Sequence, residues 1–391
     1  MRKPLLLLIC LAIAYPALAG KRVNVQRFKE VVASVEKKPD ADAADKLSQF
    51  ELTERISPAR MTEWDAAMPG PKARAALLIL VDASSFSPLS VDEGISEPAP
   101  DAGEQHAMLD ASGLYVAQSL SRLPNFFATR ETVLFMDAPQ APGSGIVPAE
   151  QAMSFAARSI ATVLYRDGKE VVAAEAEKGK NKSPAGLITS GEFGPILGTA
   201  LADARTGELT FSHWELIEKT KAAVFHYVVT KPKSHYEAKF CCVTVNGGRE
   251  LFKRLTGYHG EISLDPANGT ILRISMQADL KPPYPMSRAD LLVEYGPVAI
   301  GGRSYICPVR SIALVRGYEP AWIHLNGDPH NFAGSLYTVD DANAVSAGPE
   351  VLQTLMNHVV FKDYHLFRSD ARILTDPDSP SPDPPAKSSP H

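Results

Sequence analysis

The residues best suited to chemistry are two histidines and an aspartate in one short loop. His324, Asp328 and His330 stand in the segment HLNGDPH, which is rich in turn-forming residues. Two imidazoles and a carboxylate suit a divalent metal only if another chain element completes the coordination. Because neither a Cys-x-x-Cys pair nor a His-Glu-x-x-His motif occurs, a solvated polar loop is the favoured interpretation. We therefore expect no metal and no other cofactor.

The chain also lacks the local motifs of common hydrolases and nucleotide-binding proteins. A strained serine nucleophile needs the pattern Gly-x-Ser-x-Gly. A phosphate-cradling loop needs Gly-x-x-x-x-Gly-Lys followed by Ser or Thr. Neither pattern occurs anywhere in the 391 residues. We therefore expect a protein that is not an enzyme.

Three cysteines beyond the first twenty residues allow a cross-link. Cys241 and Cys242 are adjacent in a strand-like run, so their side chains point to opposite faces and only one of them can face Cys307. In an oxidising compartment we expect a disulfide between Cys307 and either Cys242 or Cys241. Three buried thiols are the open alternative, because free cysteine is often fully buried.

The start of the chain carries the features of a cleavable export signal. Arg2 and Lys3 form a short positive segment, and an apolar run follows over residues 5–15. This run is too short to span a bilayer as a helix, and small residues precede a cleavage point after Ala19. The pattern predicts a signal peptide over residues 1–19. It also predicts a periplasmic or secreted protein without a transmembrane segment.

Composition bounds the size and the partners of the protein. The formal net charge is −5, and removal of Arg2 and Lys3 with the signal peptide makes it −7. A mildly acidic chain has no general electrostatic attraction to nucleic acid, so we expect no nucleic-acid partner. The hydrophobic content of 45% is ordinary for a globular core. The length is sufficient for one large domain with a smaller one.

The first part of the exported chain is expected to be helical. Residues 20–92 carry apolar residues at helical spacing and predict a small helical region. Within it, Ser57 is expected to cap a helix that starts at Pro58. Asp40 or Asp42 is the expected N-cap of another helix.

The rest of the chain is expected to be mainly β. Residues 93–103, rich in Pro, Asp and Glu, predict a linker, and residues 371–391 predict a disordered Pro-rich tail. Over 104–370, an opening helix is followed by strand patterns with turn signals such as Asp167-Gly168. These patterns predict an α+β fold, in which the small helical region precedes a large curved antiparallel sheet, a half-barrel, that wraps helices.

One predicted strand shows the period-two alternation most clearly. Within residues 270–278, Ile274 and Met276 fall on one face of the strand, and Arg273 and Ser275 fall on the other. Antiparallel strands with this pattern commonly bury one face and expose the other to water. The pattern therefore predicts a sheet with one buried and one solvated face.

The strand and turn motifs resemble those of a group of secreted bacterial proteins of unknown function. The similarity is carried by GYHGEISLDPANGTILRI at 257–274, by PMSRADLLVEYGPVAIGGRSYICPVRSIAL at 285–314 and by FKDYHLF at 361–367. Further shared motifs extend it over nearly the whole exported chain. The β portion is similar, more distantly, to the LolA-like half-barrel of the outer-membrane lipoprotein carriers. The periplasmic regulators of envelope-stress anti-sigma factors share that half-barrel.

The resemblance implies a mode of binding but supplies no catalytic residue. In the carriers, a curved sheet wraps helices and leaves an apolar concavity that holds lipoprotein acyl chains. By this analogy we expect a non-enzymatic envelope protein that binds a lipid, a lipoprotein acyl chain or a peptide. The candidate lining consists of Leu272, Ile274, Met276, Leu292 and Val298, which are plain core if the concavity is filled. The alternative function is a structural scaffold that binds an envelope protein partner.

Overall fold

The structure is a computed structural model that describes most of the chain after residue 19. The described residues are 20–138, 152–171, 192–245, 248–281, 286–320 and 350–367. The predicted signal peptide, the loop with His324, Asp328 and His330, and the predicted tail lie outside the described residues. Predictions about these three segments therefore stay predictions.

Four helices and two short strands form the N-terminal unit. They are β1 (Lys21–Val23), α1 (Val25–Val35), α2 (Asp40–Leu47), β2 (Phe50–Leu52), α3 (Pro58–Ala67) and α4 (Pro71–Ser84), and β1 pairs with β2 in parallel. Apolar residues at helical spacing bring Phe28, Trp64 and Leu77 into one core. As predicted, Ser57 accepts a hydrogen bond from the first turn of α3, and Pro58 is the first helical residue. The three-residue strands are too short for a recognisable pattern, and they were not predicted.

One predicted cap in this unit is wrong. Pro39 occupies the N-cap position of α2, so neither Asp40 nor Asp42 caps that helix. The Asp40 carboxylate instead accepts hydrogen bonds from the backbone N–H groups of Lys72 at 3.1 Å and Ala73 at 2.8 Å. Asp40 therefore satisfies the free N–H groups at the start of α4, a different helix.

An eleven-stranded antiparallel sheet forms the main body of the protein. Its strands are β3 (Gly94–Ile95), β4 (Phe126–Met136), β5 (Ser154–Arg166), β6 (Lys169–Val171), β7 (Glu208–Ile217), β8 (Thr220–Val229), β11 (Tyr258–Leu264), β12 (Ile271–Ala278), β13 (Met286–Ile300), β14 (Arg303–Pro320) and β15 (Glu350–Leu366). Two further strands, β9 (Glu237–Val245) and β10 (Gly248–Leu255), form a separate ribbon. The strand order is β3-β7-β8-β11-β12-β13-β14-β15-β4-β5-β6, and the outermost strands do not pair with each other. The predicted α+β class with a large open antiparallel sheet is confirmed.

Turn chemistry sets the connections at two hairpins. Asp167 and Gly168 have φ angles of 53° and 77° between β5 and β6. Gly301 and Gly302 have φ angles of 59° and 81° between β13 and β14. Two consecutive positive φ values suit the twist of a two-residue hairpin, and Asp-Gly is a favoured sequence for it. The hairpin predicted at Asp167-Gly168 is confirmed.

Two long helices cover one face of the sheet. They are α5 (Ala102–Arg122) and α6 (Pro195–Thr206). Val116 from α5 and Leu197 from α6 join a core with sheet residues that include Phe225, Ile262 and Val293. We call this side of the sheet the α5–α6 face.

The N-terminal unit covers the opposite face, which the sequence predicted to be exposed to solvent. Leu78 and Ile79 of α4 pack against a cluster in the sheet that contains Leu292. Arg273 and Ser275 are each only 6% exposed. The prediction of one solvated face is therefore wrong for β12, because a helix from the start of the chain packs there.

The predicted linker contributes to the sheet. Gly94 and Ile95 pair with β7 as strand β3. The indole N–H of Trp214 in β7 donates a hydrogen bond to the carbonyl of Pro98 at 2.9 Å. The segment between the N-terminal unit and α5 is thus attached to the sheet edge along part of its length.

Candidate functional site

The α5–α6 face contains a cavity between the two helices and the sheet. Its volume is about 210 Å³. An apolar cavity of roughly 150 Å³ is large enough to bind benzene. The apolar lining comes from Leu109 and Val116 on α5, Leu201 on α6, Leu209 on β7 and Ile262 on β11. The cavity is therefore suited to a short apolar chain or ring.

Small residues create this space. Gly113 and Ala117 line the cavity from α5, and Gly198 and Ala202 line it from α6. Residues four positions apart lie on the same side of a helix, so each helix presents a shallow groove to the cavity. A Cβ atom added at Gly198 would meet no atom within 4 Å. The space beside Gly198 is therefore open.

Polar groups lie at the edge of the cavity. Ser112 and Arg205 contribute to its lining. An Arg205 guanidinium nitrogen lies 2.7 Å from a carboxylate oxygen of Asp110, and both side chains are about half exposed. An exposed ion pair of this kind contributes little to stability. The Arg205 guanidinium can therefore exchange Asp110 for an anionic group at small cost.

A capping box at its start and a close contact with the turn after β11 position α5 above the sheet. At its start, Asp101 accepts a hydrogen bond from the backbone N–H of Glu104, and the Glu104 carboxylate accepts one from the backbone N–H of Asp101. Further along, the turn after β11 approaches the helix so closely that a Cβ on Gly269 would lie 2.4 Å from the carbonyl carbon of Ala111. Gly269 also has a φ of 73°. Only glycine combines this φ with this approach without strain.

Two of the residues predicted to line a concavity lie on the α5–α6 face. Ile274 and Met276 are each 1% exposed and belong to the core cluster beneath α5 and α6. Neither contributes to the lining of the cavity between the helices. Their participation in ligand binding stays a prediction.

Two of the other three predicted lining residues lie elsewhere. Leu292 pairs with Ser275 across β12 and β13, so it points to the opposite face and packs beneath α4. Leu272 is half-buried. Val298 packs against a third cluster around Phe126. The structure therefore does not bring the five residues together in one concavity.

A buried ion network joins the N-terminal unit to the opposite face. Arg55 donates hydrogen bonds to Glu215 on β7 at 2.7 Å and to Glu261 on β11 at 3.0 Å. Arg273 on β12 also donates to Glu215. Ser263 donates to Glu215 at 2.9 Å. Glu215 thus connects two guanidinium groups from distant parts of the chain.

Charge compensation keeps this network ionised. Burial alone would raise the pKa of Glu215, but the charge of Arg273, a hydrogen bond from His213 and the charge of Arg55 outweigh it, so the pKa lies well below its usual range. Burial lowers the pKa of Arg55, but the charges of Glu215 and Glu261 raise it by more. The pKa of Arg55 is therefore above its usual value. Arg273 differs, because burial and the nearby Arg55 charge leave its pKa lowered.

A second network connects α4 to the same face of the sheet. Asp82 on α4 is completely buried and accepts a hydrogen bond from Arg310 on β14. His358 Nδ1 on β15 lies 2.7 Å from the other Asp82 oxygen, and Arg310 also lies 3.0 Å from Glu294. Burial would raise the pKa of Asp82, but Arg310 and His358 outweigh burial and lower it.

The ion networks around Glu215 and Asp82 were not predicted from the sequence. One signal was available, because Asp82 is a lone charge in the apolar run ALLILVDASSF. A charge on the apolar side of a helix is rarely buried unless it is paired. The identity of its partners, Arg310 and His358, was not readable from any local pattern.

Of the three cysteines in the predicted disulfide, only Cys307 has a described side chain. Cys307 is buried, and burial raises the pKa of its thiol to about 12. The backbones of Cys241 and Cys242 lie in β9, outside the main sheet, but their side chains are not described. The disulfide therefore stays a prediction. Within the described ranges, no group of three or more His, Cys, Asp or Glu residues is placed to hold a metal ion.

Comparison with known proteins yields no relative for this chain. No family model matches it, and no curated protein or solved structure is significantly similar. The likeness to lipoprotein carriers therefore rests on the sequence motifs. None of the helices in the described ranges combines the length and apolar character that a membrane span requires.

Proposed function

We propose that the protein is an exported envelope protein that binds an acyl chain in the cavity of the α5–α6 face and catalyses no reaction. The observation that carries this proposal is the cavity of about 210 Å³ between two helices and an open antiparallel sheet. The predicted signal peptide supports the envelope location, and the sequence resemblance to lipoprotein carriers supports the class of ligand.

The energetics favour an apolar chain over a polar ligand. Each methylene group that leaves water stabilises the complex by about 0.8 kcal/mol. Leu109, Val116 and Leu201 offer an apolar wall for several such groups. Arg205 at the edge offers a cation to a carboxylate or phosphate headgroup. The proposed ligand is therefore an acyl chain with an anionic head.

A cavity-filling variant tests the proposal. Gly198→Leu places a side chain in the open space beside α6, so it should abolish binding without breaking a contact. Ala107→Leu is the matched control, because Ala107 is an exposed α5 residue outside the cavity lining. Both variants and the unaltered chain are purified from the envelope fraction and measured by native mass spectrometry and organic extraction.

The measured masses distinguish lipid bound in this cavity, lipid bound elsewhere and no bound lipid. We expect an added mass that extracts as lipid on the unaltered chain and on Ala107→Leu, and its loss from Gly198→Leu. A bare protein mass for the unaltered chain contradicts a bound acyl chain. An added mass retained by Gly198→Leu places the lipid elsewhere and contradicts the proposed site.

Exposed apolar residues on β5 favour a second candidate, a scaffold that binds an envelope protein. Phe155 and Ile160 are each 60% exposed among the described residues. They pair with Phe135 and Glu131 of β4, which lie on one face of the sheet. Arg158, which pairs with Val133, lies between them on this face. Exposed apolar residues beside polar ones are typical of an interaction surface. A complex cross-linked in envelope extract and lost in the double variant Phe155→Ser, Ile160→Ser would support this candidate.

A further inference from the structure

A second cavity lies between the N-terminal unit and the opposite face of the sheet. Its volume is about 250 Å³, and Arg55, Arg273 and Arg310 all line it. The remaining walls are mainly apolar and come from Ile56, Pro58, Met61, Leu78, Val81 and Leu292. Exposed Thr62 on α3 also lines the cavity, which places its opening beside that helix.

We propose that this cavity binds a small organic anion. The head, a carboxylate or a phosphate monoester, contacts Arg273, and a short apolar body packs against Met61 and Leu78. The sheet separates this cavity from the one on the α5–α6 face. The inference therefore goes beyond the proposed function and does not depend on it.

The hydrogen-bonding capacity of Arg273 points to an anion. A guanidinium carries five N–H donors. Both hydrogen bonds that Arg273 donates to described residues, to Glu215 and to Ser263, come from Nη2. The donors on Nη1 and Nε therefore have no acceptor among the described residues, although the side chain is only 7% exposed. An anion in the cavity supplies acceptors in the geometry that a guanidinium prefers.

The charge balance around Arg273 points the same way. Arg55 and Arg310 each have two carboxylate partners, and their pKa values are raised. The pKa of Arg273 is lowered, because burial and the Arg55 charge exceed the effect of Glu215, Glu261 and Glu294. A further negative charge close to Arg273 would complete the compensation.

The lining also defines what the cavity excludes. Glu294 is the only carboxylate in it among the described residues, and Arg310 lies 3.0 Å from that carboxylate. The guanidinium group of Arg273 has donors but no acceptor, so it offers no ligand to a metal ion or an organic cation. The apolar walls favour an anion with a short hydrocarbon body over a bare inorganic ion.

Titration with matched small molecules tests the inference. Hexanoate, hexyl phosphate, 1-hexanol and hexylammonium are titrated into the chain from residue 20 by isothermal calorimetry. Arg273→Gln removes the cation, and Met61→Trp fills the cavity while it leaves every ion pair in place. All titrations are repeated in the Gly198→Leu background, which fills the cavity on the other face and removes any binding of these ligands there. If Arg273→Gln does not fold, the affinities of Met61→Trp and the comparison of the four ligands still test whether an anion binds in this cavity.

We expect one of the two anions to bind, and the preferred one identifies the headgroup. In the Gly198→Leu background, where the other cavity is filled, its affinity should fall by about tenfold or more with Arg273→Gln and with Met61→Trp. The inference is overturned if 1-hexanol or hexylammonium binds as tightly as the anions. It is also overturned if neither anion binds up to about 10 mM, or if Met61→Trp leaves the affinity unchanged. A loss in Gly198→Leu alone assigns binding to the other cavity and overturns it as well.

Discussion

At the residue scale, the buried charged side chains act between elements that are distant in the sequence. Arg55 and Glu215 are 160 positions apart, and Asp82 and Arg310 are 228 positions apart. Removal of one partner from a buried ion pair costs several kcal/mol, because the other charge is left uncompensated. Such pairs therefore specify how the N-terminal unit sits on the sheet.

Asp40 offers the simplest test at this scale. Asp40→Ala removes the two hydrogen bonds to the start of α4, so the free energy of unfolding should fall by about 1 kcal/mol. Asp42→Ala is the control, because Asp42 is exposed in the same helix. Urea unfolding of both variants measures the difference. Equal losses in the two variants would contradict the role of Asp40 as the cap of α4.

At the scale of elements, α5 and α6 both contain a glycine that lines the cavity between them. Gly113 and Gly198 cost helix stability, because glycine loses more conformational freedom than alanine. Both line the cavity of the α5–α6 face. A Cβ at Gly198 would meet open space, whereas a Cβ at Gly113 would lie 2.9 Å from a guanidinium nitrogen of Arg205. The proposed binding cavity therefore accounts for Gly198, and the close approach of Arg205 accounts for Gly113.

Two glycine substitutions should have opposite effects. Gly198→Ala should raise the free energy of unfolding by about 0.5–1 kcal/mol, because the added Cβ meets open space in a helix interior. Gly269→Ala should lower it by more than about 1 kcal/mol, because of its positive φ and the approach of Ala111. Thermal and urea unfolding of both variants check the signs. Stabilisation by Gly269→Ala would mean that the turn does not contact α5 as described.

At the scale of the whole molecule, both faces of the sheet are covered by helices from different parts of the chain. The α5–α6 face is mostly apolar, whereas the face beneath the N-terminal unit combines apolar contacts with two ion networks. The N-terminal unit is therefore part of the main body rather than a module free to dock a partner with its inner surface.

The ion networks predict acid sensitivity. The pKa values of Glu215 and Asp82 are lower in the folded than in the unfolded chain. As the pH falls below about 4.5, the unfolded chain takes up protons before the folded chain does, so the free energy of unfolding should decrease. Urea unfolding between pH 6 and about 2.5 measures this. In Asp82→Asn, the free energy of unfolding should change less with pH. A constant free energy of unfolding over this range for the unaltered chain would contradict the prediction.

The sequence-based predictions were accurate for features with local causes. The helix start at Ser57-Pro58 and the hairpin at Asp167-Gly168 depend on a few adjacent residues. The candidate lining was less accurate, because Leu292 and Ile274 lie on different faces of the sheet. Strand register sets the face of each residue, and no local pattern defines the register of β12 against β13.

The sequence by itself determined the α+β class, the strand-rich body and the short turns, because helical spacing, period-two alternation and turn chemistry act over a few residues. Only the tertiary structure decided that Arg273 is buried rather than solvated, that Asp40 caps a helix other than its own, and that two cavities lie on opposite faces of one sheet. These features depend on contacts between residues far apart in the chain. Packing free energy, rather than local preference, selects such contacts.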